Sequence, residues 1–470
     1  MKSYPLALLM ASILLLASCA RSQNKTSNQN KAPVIRPVKG KVVLMNLDPG
    51  HFHAALVQKT MYESVDPVVY VYAPEGPEVQ SYLDQIRAYN TREADPTSWK
   101  EQVYTGDDYL EKMLKDKPGN VMVVSGNNAR KTEYILEAVR DGINVLADKP
   151  MVITPEEFPM LEEAFSTARQ KKVLLYDIMT ERHEITTILQ REFSRIPAVF
   201  GELQTGSPNL PSLIQESVHH FSKLVSGEPL IRPPWFFDTR QQGEGIVDVT
   251  THLVDLVQWE AFPGVTLSKE DVDVQTSRRW TTALTTEMFK KVTGLDSYPP
   301  YLEKDVQGTI LRVYSNGEIN YTIKGVHARV RVTWNFISPE GSGDTHYSMM
   351  RGSRCQLEIR QGEREGYEPT LYIMPTFIDS PDQFRKDLEE GFRQVAAIYP
   401  GISLNEIDEL TWRVEIPEKY KVGHEAHFGQ VTGDFLGYLS SGTLPGWEIP
   451  NMIVKYYTTT EGLKKAFDLK

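Results

Sequence analysis

The sequence has little cysteine and no excess of positive charge, and each shortage excludes a class of protein. Only two cysteines occur among the 470 residues, so a framework of several disulfides cannot form. Acidic residues outnumber basic ones by 62 to 51, which gives a formal net charge of −11. Because the chain also lacks a stripe of Lys and Arg, we expect no nucleic-acid partner. Internal repeats are absent as well.

The first residues are predicted to direct export rather than to fold. An apolar run, Leu6–Leu16, ends in Leu-Ala-Ser-Cys, which resembles a bacterial lipoprotein cleavage site. We therefore expect residues 1–18 to be a lipoprotein signal peptide and Cys19 to carry lipid. Residues 19–40 are rich in polar side chains and are predicted to form a flexible tether. The protein would then be exported and lipid-anchored, facing the periplasm; an ordinary signal peptide with a chance cysteine is the alternative.

The clearest pattern in the remaining chain is one βαβ unit. Val121–Val124 is a continuous apolar run, typical of a strand that is buried on both faces of a parallel sheet. Residues 131–140 carry apolar side chains at helical spacing. A second apolar run, Val145–Ala147, leads into Asp148-Lys149-Pro150. In open α/β sheets, ligands bind at this carboxyl edge.

This βαβ unit and its acid-Lys-Pro ending resemble the glucose–fructose oxidoreductase/inositol dehydrogenase (Gfo/Idh/MocA) family, whose usual triplet is Glu-Lys-Pro. The resemblance implies an α/β Rossmann-type dinucleotide-binding domain, which we assign to residues 41–183, and NAD or NADP as cofactor. It also implies that Lys149 lies between nicotinamide and substrate.

Beyond residue 183 the pattern changes to stretches of alternating polar and apolar residues. Residues 328–337 are an example, with Arg, Arg and Thr alternating with Val, Val and Trp. Many such strands predict an α+β domain with an open, mostly antiparallel sheet over residues 184–470. By resemblance, this domain closes over the substrate, and a homo-oligomer would form through its sheet.

A second motif resembles the family at residues 243–255, GEGIVDVTTHLVD. A spacing of four predicts that Asp248 and His252 share one helical face. By resemblance, Lys149, Asp248 and His252 are the catalytic set. His252 would take a proton from a sugar hydroxyl as hydride leaves to nicotinamide, Lys149 would orient that hydroxyl, and Asp248 would hold substrate and His252. A helix with a hydrogen-bonded His and a solvated acid is the alternative.

The loop after the first strand departs from the dinucleotide-binding pattern G-x-G-x-x-G. Only Gly50 remains, and Asp48 adds a negative charge where phosphates would lie. The sequence is compatible with His51 and His53 as hydrogen-bonding groups or as ligands of a metal ion, and without a nearby third ligand we predict no metal. The predicted cofactor-binding residues are Asn46, Gly50, His51, His53, Glu75, Ser125, Asn127, Asn128, Asp148 and Lys149.

Further histidines and aromatic residues predict the substrate side of the site. These residues could stack on or bond to a sugar, or could serve only as polar and apolar contacts within the domain. The predicted substrate residues are His219, His220, Trp235, Arg240, His424 and His427.

The sequence thus predicts an NAD(P)-dependent oxidoreductase acting by hydride transfer on a sugar or sugar derivative. One alternative is a non-catalytic carbohydrate-binding lipoprotein built on a decayed dehydrogenase fold. Another is a glycoside lyase or hydrolase that uses bound nicotinamide or a metal.

Overall fold

The computed structural model describes residues 35–225, 228–340, 342–376 and 380–468. Cys19, the predicted signal peptide and most of the predicted tether lie outside these residues. None of the helices in the described part of the chain is long and apolar enough to cross a membrane. The first domain consists of β1 (Leu44–Leu47), α1 (His53–Leu56), β2 (Val68–Ala73), α2 (Pro77–Thr91), β3 (Lys100–Thr105), α3 (Tyr109–Asp116), β4 (Val121–Val124), α4 (Lys131–Arg140), β5 (Asn144–Asp148), α5 (Phe158–Lys171) and β6 (Leu175–Ile178).

The strands of the first domain form one parallel sheet in the order β3-β2-β1-β4-β5-β6. Strands β1, β4, β5 and β6 are buried throughout, and β4 is accordingly an unbroken apolar run, whereas β1, β5 and β6 also bury polar side chains such as Asn46, Asp148 and Asp177. From β1 the chain adds strands toward one edge of the sheet, and from β4 it adds strands toward the other edge. Such a reversal of strand order opens a crevice for ligands at the carboxyl ends of the two central strands. The predicted Rossmann-type fold is confirmed, and β4 and α4 have the predicted bounds.

The second domain is a larger sheet covered by helices. Neighbouring strands run antiparallel along the order β10-β12-β13-β7-β14-β15-β16-β18-β17, except for the parallel pair β13 and β7. The predicted α+β class is confirmed. Its elements are α6 (Ile185–Ser194), β7 (Leu213–Ser222), β8 (Leu224–Val225), β9 (Glu228–Pro229), α7 (Thr239–Gln242), α8 (Thr250–Ala261), β10 (Val272–Leu284), α9 (Thr286–Thr293), β11 (Val306–Gln307), β12 (Ile310–Ile323), β13 (Val326–Ile337), β14 (Thr345–Arg351), β15 (Cys355–Arg360), β16 (Thr370–Pro375), α10 (Pro381–Ile398), β17 (Ser403–Asp408), β18 (Thr411–Glu415), α11 (His424–Ser441) and α12 (Glu448–Asp468).

The glycine-rich turn before α8 shows one difference from the sequence pattern. Helix α8 begins at Thr250, so Asp248 precedes the helix and His252 lies within its first turn. The prediction that both share one helical face is therefore wrong. The physical reason is close packing on β12, because a Cβ on Gly245 would lie 1.8 Å from the backbone oxygen of Ser315. Only glycine allows this approach, and the segment stays a turn.

Helices α11 and α12 return to the first domain. Phe428, Phe435 and Leu439 of α11 and Tyr456 of α12 belong to the same buried cluster as the parallel sheet. A buried ion cluster reinforces this junction, since Lys455 Nζ of α12 lies 2.6 Å from an Asp177 carboxylate oxygen and 2.9 Å from one of Asp255. The two domains are thereby held on either side of the crevice.

Candidate functional site

Asp148, at the end of β5, is the centre of a hydrogen-bonded group in the crevice. Its Oδ2 accepts hydrogen bonds from Ser125 Oγ at 2.9 Å and from His53 Nδ1 at 3.0 Å, and its backbone oxygen accepts one from buried Lys131 Nζ at 3.0 Å. Burial lowers the pKa of Lys131 to about 8. Burial alone would raise the pKa of Asp148, but His53 and Lys131 hold it well below its ordinary value. Asp148 is thus an ionised carboxylate that hydrogen bonds hold in one position.

His51 and His53 are oriented by this group. Because an ionised carboxylate only accepts, Nδ1 of His53 carries a proton and its Nε2 keeps a free lone pair. Nδ1 of His51 accepts the backbone N–H of His53 at 3.3 Å. Burial lowers the pKa of both imidazoles. Potential ligand atoms of His51, His53 and Asp148 all lie within 4.8 Å of one another. A cation bound by these atoms would have to replace the hydrogen bond between His53 and Asp148 and the one from His53 N–H to His51 Nδ1.

Lys149 and Asp248 form an ion pair that bridges the two domains. Lys149 Nζ lies 2.6 Å from Asp248 Oδ1, and the side chains are only 12% and 6% exposed. The other carboxylate oxygen of Asp248 accepts a hydrogen bond from Gln242 Nε2 at 3.1 Å. Two residues that are 99 positions apart in the sequence, both predicted to be catalytic, are therefore in direct contact.

His252, the third predicted catalytic residue, is held as a neutral imidazole. Burial first, and then the positive charge of Lys149, lower its pKa well below the ordinary value. Its Nδ1 is buried and has no hydrogen-bond partner among the described residues. Asp255, one turn further along α8, does not supply one, because its carboxylate binds Arg182 and Lys455. A neutral imidazole with an unused nitrogen can accept a proton from a ligand.

The second domain adds a polar cluster around Asp344, in the loop before β14. Its carboxylate lies 2.9 Å from His219 Nδ1 and 3.4 Å from His220 Nδ1, and it also binds Lys223 Nζ. Burial lowers the pKa of Lys223, and the charges of Arg232 and Lys149 lower it further.

A cavity of about 290 Å³ lies next to the crevice, at the carboxyl ends of β1, β2 and β4. Its walls combine aromatic rings, carboxylates and turn residues. The lining residues are Asp48, Pro49, Gly50, Ala73, Pro74, Glu78, Val79, Tyr109, Asn127, Ala129, Arg130, Tyr134 and Trp235. This is where a Rossmann-type fold holds the adenosine end of a dinucleotide.

Several predicted cofactor residues lie elsewhere or are already bonded. Asn46 is buried inside the domain, where its Nδ2 donates to Gln58 and to Tyr82. Glu75 is exposed and does not line the cavity. The side-chain amides of Asn127 and Asn128 donate across the domain junction to Gln241 Oε1 and Gln242 O.

The predicted substrate residues also separate. His219 and His220 belong to the Asp344 cluster, whereas Trp235 lines the cofactor cavity. His424 lies beside His53, with ring centroids 5.6 Å apart. His427 is also buried, and burial, followed by the charge of nearby His183, lowers the pKa of His427 to about 4. Arg240 is exposed on α7.

Sequence reasoning missed five charged residues of the site. Asp344 and Arg232 stand in loops with no motif around them, and Lys131 looks like an ordinary first residue of an amphipathic helix. Lys223 had a weak signal, since it follows the His219-His220 pair by a few residues. Glu78, in the first turn of α2, could have been found as the next acid after Glu75.

Comparison with known sequences decides the family. Residues 50–177 match the profile described as “Oxidoreductase family, NAD-binding Rossmann fold”. Residues 189–467 match the profile described as “Putative oxidoreductase C terminal domain”. The chain belongs to the Gfo/Idh/MocA oxidoreductase family. The resemblance inferred from the Asp148-Lys149-Pro150 unit is thereby confirmed.

Solved structures of this fold agree with the family assignment. A crystal structure described as a “putative oxidoreductase” from Parabacteroides merdae is 55% identical, with a TM-score of 0.90, and the match covers 94% of this chain and 100% of that chain. Levoglucosan dehydrogenase in complex with NADH and levoglucosan is 13% identical, with a TM-score of 0.57 over 91% of this chain and 98% of that chain. GenD2 from gentamicin A biosynthesis, in complex with NAD, is 14% identical, with a TM-score of 0.54 over 93% and 98%.

At such low identities the last two likenesses show the fold alone. No curated protein matches the sequence.

The family is NAD-binding, and the cavity of this Gfo/Idh/MocA protein fits the adenosine end of the cofactor. Tyr109, Tyr134 and Trp235 supply flat apolar walls, and Asp48 and Glu78 supply acceptors for hydroxyl groups. A Cβ on Gly126 would lie 2.0 Å from the backbone oxygen of Asp48, so the loops after β1 and β4 pack as closely as a dinucleotide site requires. Lys149 is not among the residues that line this cavity.

Proposed function

We propose that the protein is an NAD-dependent oxidoreductase that transfers hydride between a sugar or sugar derivative and nicotinamide. The observation that carries the proposal is the buried Lys149–Asp248 pair beside the neutral imidazole of His252, at the sheet edge that also forms the cofactor cavity. The sugar bound by the distantly similar levoglucosan dehydrogenase supports the substrate class.

Each of these three side chains has a distinct role in oxidation of an alcohol. Bound nicotinamide supplies the acceptor for the hydride. His252 takes the hydroxyl proton, and its lowered pKa keeps it ready to do so at neutral pH. Lys149 holds the substrate oxygen and stabilises the negative charge that develops there. Asp248, steadied by Gln242, keeps the Lys149 ammonium in place.

The Asp344 cluster supports a polyhydroxylated substrate. Within a short span, His219, Lys223 and Asp344 offer both donors and acceptors, and the His219 ring stacks on Trp334 with centroids 5.0 Å apart. A sugar presents hydroxyl groups that both donate and accept, together with an apolar ring face. In this proposal the cluster would hold the part of the sugar away from the reacting carbon.

One observation favours a second candidate, a non-catalytic carbohydrate-binding protein. The N–H groups that could bind phosphate are partly used within the protein, since Gly50 N donates to Asp48 O and His51 N donates to Ser125 O. This loop therefore offers fewer donors to a pyrophosphate than a glycine-rich loop does.

The test separates the two functions. The purified protein is denatured and its supernatant analysed for nicotinamide nucleotide, and the native protein is then assayed with NAD and a panel of sugars by the absorbance of reduced nicotinamide. We expect bound or bindable NAD and its reduction by at least one sugar. His252→Ala serves as the active-site control and His327→Ala, which lies on β13 outside the site, as the matched control. Sugar binding without nucleotide binding would favour the non-catalytic protein.

We also propose that the protein is exported and anchored to the membrane through lipid on Cys19, with the domains facing the periplasm. A further proposal is that it forms a homo-oligomer through the sheet of the second domain. The Leu-Ala-Ser-Cys sequence supports the anchor. The uncovered sheet face supports association, because it presents paired charges such as Arg329 with Glu216 and Arg278 with Glu318. Metabolic labelling with a palmitate analogue and light scattering of the protein without residues 1–18 test these two proposals.

A further inference from the structure

The cofactor cavity contains two carboxylates that no other part of the site explains. Asp48 lies on the loop after β1 and Glu78 in the first turn of α2, and both line the cavity. The two are close enough that the charge of Glu78, after burial, helps to raise the pKa of Asp48 to about 6. An acid pair of this kind favours a ligand that brings hydrogen-bond donors.

Among the described residues no cation forms an ion pair with Asp48 or Glu78, although the charges of Lys131 and Arg130 partly offset the rise in the pKa of Asp48. In the described part of the chain, Glu78 makes no ion pair or side-chain hydrogen bond. Arg130 is the basic residue among those lining the cavity, and it is engaged by Glu133, with an N–O distance of 2.8 Å, and lies over the ring of Tyr134. The acceptors of Asp48 and Glu78 therefore remain available, whereas the guanidinium is already paired.

The position of Asp48 is set by its backbone. Its φ of 49° is left-handed, a region that glycine adopts more readily than aspartate. The turn is fixed, since Asp48 N donates to Tyr72 O at 2.9 Å and Asp48 O accepts from Gly50 N at 2.8 Å. The chain thus keeps the turn of a glycine-rich loop while presenting a carboxylate from it.

The usual acid of an NAD site is missing from its usual place. In NAD-binding folds an Asp or Glu near the end of the second strand binds the ribose hydroxyls. Here β2 ends at Ala73 and Pro74 follows, while Glu75 is exposed outside the cavity. Glu78 and Asp48 supply carboxylates to the same region from α2 and from the first loop.

We propose that Asp48 and Glu78 together accept the hydrogen bonds of the adenosine ribose hydroxyls and thereby select NAD over NADP. The inference rests on the proposed function, because it requires the dinucleotide in this cavity. A 2′-phosphate carries a charge of about −1.5 to −2 at neutral pH, so it would face two carboxylates and lose the hydroxyl donor that they accept. Selection comes from both the attraction of the diol and the repulsion of the phosphate.

The test is a comparison of dissociation constants for NAD and NADP, measured by calorimetry on protein freed of retained nucleotide. Measurements are made at about pH 8, where Asp48, with its pKa of about 6, is ionised. The variants are Asp48→Asn, Glu78→Gln and the double substitution, with Glu75→Gln as the matched control on the neighbouring exposed acid. Asparagine tolerates left-handed backbone, so Asp48→Asn preserves the turn. Circular dichroism confirms folding of each variant.

We expect the unaltered protein and Glu75→Gln to bind NAD at least ~100-fold more tightly than NADP, about two decades of affinity. In the double variant this ratio should fall to ~10-fold or less, through weaker NAD binding and stronger NADP binding. Equal affinities in the unaltered protein, or an unchanged ratio in the double variant, would overturn the inference and point to Arg130 as a phosphate ligand. Binding of neither nucleotide would instead overturn the proposed function.

Discussion

Lys149→Met removes one charge from a buried ion pair while keeping most of the side-chain volume. Asp248, only 6% exposed, would be left with the hydrogen bond from Gln242 as its one side-chain hydrogen bond among the described residues. Breaking a buried pair from one side costs about 3–5 kcal/mol of folding free energy, because the other charge stays uncompensated. We therefore expect the free energy of unfolding of Lys149→Met, from urea denaturation, to fall by roughly this amount.

A second substitution separates the charge effect from lost packing. Adding Asp248→Asn neutralises the stranded carboxylate, so the double variant should regain ~1–3 kcal/mol of stability relative to Lys149→Met. Lys112→Met is the control, since its ion pair with Asp116 lies at the surface, where solvent screens it, and its loss should change the free energy of unfolding little. The same Lys149→Met protein should lose at least ~100-fold in turnover. A double variant no more stable than the single one, or unchanged turnover, would refute the reasoning.

Three further predictions follow from other parts of the structure. Because the pKa of His252 lies well below its ordinary 6.5, kcat/KM for sugar oxidation should stay level as pH falls through 6.5 and decline only at lower pH; a midpoint near 6.5 in the pH–rate profile would contradict this. Lys455→Met should lower the free energy of unfolding by about 3–5 kcal/mol, because buried Asp177 loses its ion pair and keeps the hydrogen bond from Tyr456, while Asp255 retains Arg182; the exposed Lys464→Met should change it little. Cys19→Ala should move the protein from the membrane to the soluble fraction and abolish palmitate labelling; an unlabelled, soluble natural protein would refute the anchor.

Local patterns predicted the first domain well. The strand β4 and the helix α4 have the bounds that hydrophobic spacing indicated, because a strand buried on both faces and a helix with one buried face leave clear signals in the sequence. The carboxyl end of β5 followed from the same unit, and with it came Asp148 and Lys149. Contacts between neighbouring elements explain this success, since each signal is contained in a few residues.

The rest of the site depends on contacts between distant segments. Asp344 reaches His219 and Lys223 only because β14 pairs with β7, and α12 brings Lys455 to Asp255 from 200 positions away. The turn that holds Asp248 depends on the close approach of Gly245 to Ser315. A rule based on helical spacing does not take contacts with a distant strand into account. Glu78 rather than the predicted Glu75 lines the cavity for a local reason: Pro74 follows β2 directly, and the chain turns before α2 begins.

The most direct test of the central claim is transfer of a labelled hydride. A sugar that is a substrate in the panel is prepared with deuterium on the oxidised carbon, incubated with the protein and NAD, and the nucleotide is analysed by mass spectrometry. The account predicts reduced nicotinamide carrying one deuterium per turnover, and labelled nucleotide that accumulates at least ~100-fold more slowly with His252→Ala. Sugar consumed without deuterium on the nucleotide, in protein that binds NAD, would contradict hydride transfer in this crevice.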